Sequence, residues 1–67
     1  MNSAVDWVLA MLADGHAIMR VEASAATCAQ LVASGLLPTA TMLPERVAGR
    51  VVVTVQDGTE YAAIASQ

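Results

Sequence analysis

The chain reads as an α+β fold: a small antiparallel sheet, made of a C-terminal β-hairpin plus one strand, covered on one face by two helices. Three patterns predict it. Arg50 to Ala65, RVVVTVQDGTEYAAIA, alternates in the manner of strands on either side of Asp57-Gly58. An Asp-Gly pair between two such runs is a strong hairpin signal, because a type I′ turn needs φ > 0 at both central positions. Val5, Val8, Leu9 and Leu12 fall at i, i+3, i+4 and i+7, which is one helical face. Between these segments, His16 to Glu22 switches to a period of two.

In chain order, Ser3 is the expected N-cap of a first helix over about residues 4 to 14. Asp6 sits in its first turn near the positive end of the dipole, and Gly15 is its stop. Trp7 and Met11 are expected to flank the buried stripe. The strand that follows alternates Ala17, Met19 and Val21 with Ile18, Arg20 and Glu22. Ser24 then caps a second helix that ends at Gly35, with Ala25, Cys28, Ala29 and Val32 on one face and Thr27, Gln30 and Ser34 opposite. Leu36-Leu37-Pro38 leads into a link. Pro44 suits position N1 of a one-turn helix, Pro44 to Ala48, and Gly49 its C′ position.

A two-residue turn at Asp57-Gly58 fixes the hairpin register. It sets Val55 opposite Glu60, Val53 opposite Ala62 and Val51 opposite Ile64, which is the expected core face. It sets Thr54 opposite Tyr61, Val52 opposite Ala63 and Arg50 opposite Ala65 on an open face, joined there by Ile18, Arg20 and Glu22.

Sixty-seven residues make one domain, 1–67, near the lower size at which a chain folds without staples. A single cysteine, Cys28, excludes an internal disulfide framework and a cysteine-based metal site. Stability must come from apolar burial, and 57% hydrophobic residues with a mean hydropathy of +0.59 supply it. The apolar residues are mostly small, fourteen Ala and nine Val with no Phe. Such a surplus in so small a domain leaves apolar surface exposed, which favours a homo-oligomer or a protein partner.

Six carboxylates face three arginines and no lysine, for a net charge of −3. Nucleic-acid binding draws its affinity from Lys and Arg on phosphates, so this balance points to a basic protein surface as partner instead. The N-terminal apolar run, Trp7 to Ala13, is bracketed by Asp6 and Asp14 and is too short for a membrane span or a secretory signal. A cytoplasmic protein with a reduced thiol is expected. No Gly-rich phosphate loop, metal-ligand cluster or nucleophile elbow occurs, and no cofactor is expected. Cys28 reads as a small buried thiol and His16 as a turn residue, so an enzyme is not expected.

The order helix, strand, helix, short helix, hairpin resembles the winged helix-turn-helix fold over about residues 4 to 65. That resemblance implies DNA binding, with Thr39 to Ala48 as recognition helix and Arg50 to Ala65 as wing. In size, acidity and lack of catalytic groups the chain is also similar in type to small phage-encoded inhibitors, anti-CRISPR proteins among them. This implies an inhibitor that occupies a basic, nucleic-acid-binding surface of a host protein. The expected contact surface joins the open sheet face (Tyr61, Thr54, Arg20, Glu22) to the acidic hairpin tip (Asp57, Glu60). A winged-helix transcriptional regulator and a self-associating structural subunit remain the alternatives.

Overall fold

The computed structural model describes residues 3–64, Ser3 by its backbone only. Helix α1 (Ser3–Ala13) is followed by strand β1 (Ile18–Ala23), helix α2 (Ala25–Ala33), a 3-10 turn at Thr39–Thr41, and strands β2 (Met42–Pro44), β3 (Arg50–Val55) and β4 (Glu60–Ile64). The sheet order is β2-β1-β3-β4. The fold is α+β, with both helices contributing to one core on one face of the sheet.

Helix α1 already includes Ser3, so the residue that caps it lies outside the described residues. Its end is a Schellman motif. The amide of Gly15 (φ 91°) donates to Leu12 O at 3.0 Å and that of His16 to Met11 O at 3.2 Å, satisfying two carbonyls that the helix leaves free. Helix α2 starts as expected at Ser24, whose Oγ accepts from the Thr27 amide at 3.3 Å.

Both helices are rotated from the expected stripes. Ala4, Val8 and Met11 are buried in α1, with Val5, Trp7, Leu9 and Leu12 packed around them. In α2, Thr27 and Leu31 point inward while Ala25 and Ala29 are exposed. Burying Thr27 is tolerable because its hydroxyl is already partnered, accepting from Ser24 Oγ at 3.1 Å.

The sheet carries a strand that the sequence pattern did not reveal. Met42–Pro44 pairs parallel to β1, with Glu22 opposite Leu43, after a crossover through α2. No helix forms over Pro44 to Ala48; residues 45–49 make a bend and a turn that lead into β3. The segment assigned to a recognition helix by the winged-helix resemblance is therefore a 3-10 turn, a strand and this loop.

Two backbone irregularities set which side chains share a face. In β1, Ile18 pairs with Val55 but Arg20 with Thr54, so Met19 is a bulged residue. The bulge brings Ile18 to the core and leaves Met19 exposed, the reverse of plain alternation. In the hairpin, the Gly58 amide donates to Val55 O at 2.9 Å and the Val55 amide to Thr59 O at 3.0 Å. The loop therefore has three residues, Gln56 to Gly58, with the left-handed residue last (Gly58, φ 91°). The register slips by one from the two-residue expectation: Arg50 opposes Ile64, Val51 Ala63, Val52 Ala62, Val53 Tyr61 and Thr54 Glu60. The expected Arg50–Ala65 pair falls outside the described residues.

A slip of one reverses every side chain of β4, because the side-chain period of a strand is two. Val51, Val53 and Val55 do form the core face, as expected. Opposite them, however, stand Ala63 and Tyr61, while Ile64 projects from the open face and is 82% exposed.

Candidate functional site

The face of the sheet away from the helices gathers most of the chain's charge. Arg20 and Glu22 project from β1, Thr54 and Arg50 from β3, and Glu60 from β4, since residues paired across the ladder share a face. Glu22 is the centre. It is only 5% exposed although no helix covers it. Arg46, on the loop after β2, reaches over it and donates from Nε to Glu22 Oε1 at 2.5 Å. Arg20 Nε lies 4.0 Å from Glu22 Oε2, and Arg20 Nη2 lies 3.9 Å from Glu60 Oε2. The buried carboxylate is thus matched by two guanidinium groups, which is the condition for tolerating a charge out of water.

A cleft of about 420 Å³ runs between this loop and the sheet, lined by Glu22, Glu45, Arg46, Val47, Arg50, Val52 and Glu60. With Arg20 at its margin, the cleft collects all three arginines and all three glutamates of the chain. Among the described residues, Arg50 and Glu45 make no ion pair.

The expected site residues divide into two groups. Arg20, Glu22, Thr54 and Glu60 come together on the open face, as the sequence pattern placed Arg20, Glu22 and Thr54. Tyr61 does not join them; the register slip puts it on the helix side, where its ring sits 5.5 Å from the His16 ring. Asp57 is at the hairpin tip. Its Oδ1 accepts from the Thr59 amide at 2.9 Å, so the carboxylate is engaged in shaping the turn. Hydrogen bonds from Thr59, side chain and then amide, together with the His16 charge, hold the Asp57 carboxyl below the usual carboxylate range.

Asp57, Tyr61 and His16 share one end of the molecule with the turn after α1. The Gln56 amide donates to Ala17 O at 2.9 Å, which ties the hairpin loop to the segment following Asp14 and Gly15. Asp6, Ala10 and Asp14 continue this end along the exposed side of α1. Arg50 stands on the open face as expected, and the residues that sequence reasoning missed are Arg46, Glu45 and His16. Arg46 and Glu45 lie on the loop after β2, outside any alternating pattern. His16 shows only as a residue after a glycine stop.

Cys28 is half-buried between α2 and the β1–β2 edge, with Sγ 3.6 Å from Ala23 O and 3.8 Å from Leu43 O. Burial pushes its pKa up, and the Glu45 charge adds to that against the lowering effect of the Ala23 hydrogen bond. The thiol is protonated at neutral pH and is a poor nucleophile. Among the described residues, no three His, Cys, Asp or Glu side chains are placed to hold a metal ion. No helix among them is long and apolar enough to cross a membrane. No protein-family model, curated protein or solved structure matches the chain.

Proposed function

We propose that this protein is a small protein-binding module of the cytoplasm that docks its acidic end on a basic surface of a partner and inhibits that partner by occupying it. The observation that carries this reading is where the net charge resides. Three arginines and three glutamates cancel around the open-face cleft, so the whole −3 belongs to Asp6, Asp14 and Asp57. These three lie on the outer side of α1 and on the hairpin tip that adjoins its end.

Tyr61, 38% exposed against His16, supplies the aromatic contact that such a surface needs. An uncompensated acidic strip steers a basic partner and sets the docking orientation, while a half-exposed tyrosine contributes contact area at small entropic cost. A half-buried, hydrogen-bonded thiol is suited to a reducing compartment.

Affinity capture from the native host tests this. A specific partner should be retained at low salt, released as salt rises, and lost to the paired variant Asp14→Lys, Asp57→Lys. Asp57→Asn keeps an acceptor for the Thr59 amide and separates charge from turn geometry. Retention of the partner by the paired lysine variant would exclude the acidic end, and specific, salt-sensitive retention of duplex DNA in its place would exclude the reading altogether.

A further inference from the structure

We propose that the uncovered face of the sheet is a docking surface for a second copy of this chain, the two related by twofold symmetry. This is independent of the acidic end, which lies elsewhere on the molecule.

A twofold contact sets a surface against itself, so the surface must be complementary to itself. The open face carries both signs in equal number, which such a contact favours. Its three arginines and three glutamates sum to zero, whereas the rest of the chain sums to −3 and repels its own kind. A purely basic or purely acidic partner would leave half of these charges facing their own sign; a second copy offers each sign its opposite.

The distribution of pairing inside the chain sharpens the argument. Arg20, Glu22, Arg46 and Glu60 already satisfy one another, leaving Arg50 and Glu45 without an ion pair among the described residues. One cation and one anion left over at the same cleft can be matched twice across a twofold axis, Arg50 of each copy with Glu45 of the other.

The apolar residues fall where an interface needs them. Val47, 54% exposed on the loop, and Ile64 on the edge strand are exposed, and Val52 and Ala62 pair on β3 and β4 of the same face. Exposed aliphatic side chains interleaved with arginines, and no lysine, are a composition that protein interfaces favour. Desolvating Glu22 adds nothing further to the cost of association, because it is already buried in the single chain.

Sedimentation equilibrium on the full chain is the test. The expected mass in the micromolar range is twice the 6.9 kDa of one chain. Arg50→Glu and Glu45→Arg should each weaken self-association about a hundredfold, since like charges then meet twice. An equimolar mixture of the two variants should recover the dimer, because each new charge finds its complement. Val47→Asp should weaken association while the chain stays folded by circular dichroism, and it does not depend on any ion pair. A wild-type mass of one chain throughout the range would overturn the proposal. So would a dimer left intact by Arg50→Glu and Val47→Asp, or a mixture that stays monomeric.

Discussion

The two faces of the sheet are made by the same strands and are held by different physics. On the helix side, Val51, Val53 and Val55 meet Val8, Met11 and Leu31, and what matters is filled volume. On the other side, Glu22 is as little exposed as Val55, at 5% against 7%, yet what keeps it there is a pair of guanidinium groups. Burial and apolarity are therefore separate properties in this chain. A face can be dry at its centre without being greasy, provided the charges that dry it are matched.

The sharpest contrast between the faces should appear on truncation. Leu31→Ala removes a fully buried side chain from the core and should cost about 2–5 kcal/mol. A domain of 67 residues holds roughly 3–10 kcal/mol in all, so denaturant melts should show a chain close to unfolded in water. On the charged face, Arg46→Ala should cost about 1–2 kcal/mol, the low end for a hydrogen bond to a buried charge because Arg46 is itself largely exposed. Arg20→Ala, whose contacts are 4.0 and 3.9 Å, should cost less than about 1 kcal/mol by the same urea titration. Equal losses for Arg20 and Arg46 would break the view that one close hydrogen bond anchors Glu22.

The hairpin turn decides which side chains reach which face, and Gly58→Ala probes it. A Cβ at φ 91° costs about 1 kcal/mol, to be read as a lowered melting temperature with the fold retained. The smallest effect concerns Asp57. Its folded pKa is depressed, so its contribution is present above the unfolded carboxylate value of about 3.9 and is lost as pH falls through the folded value below it. Wild type should therefore lose its advantage over Asp57→Asn only in acid below about pH 4, with parallel stability profiles at neutral pH. A difference that persists unchanged into strong acid would show that the carboxylate charge is not what supports the turn.

Fold class and both helix ends were legible because each rests on local chemistry. Gly15 and Gly35 mark the stops, Ser24 the second start, and valine alternation the central strand. Features set by pairing were not. Asp57-Gly58 serves a two-residue loop with both residues left-handed, or a three-residue loop with only the glycine so, and the dipeptide does not distinguish them. Met42–Pro44 is three residues long and exists as a strand only because β1 offers it an edge. The bulge at Met19 leaves no mark on composition, yet it exchanges Met19 for Ile18 in the core. Arg20, Glu22 and Thr54 were placed on their common face because they lie on β3 and on the part of β1 past the bulge, where plain alternation holds. Tyr61 and Glu60 traded places because they follow the turn.

That turn has a consequence for how the protein can change. Were Gln56 instead to join β3 and pair with Thr59 across a two-residue Asp57-Gly58 loop, β4 would slide by one step. Ile64 and Glu60 would then face inward and Tyr61 outward, five positions reassigned with every letter kept. Substitutions would need several coordinated steps to achieve as much. In a lineage, the length of this loop would act as a coarse control over what the surface displays, and point changes as the fine one.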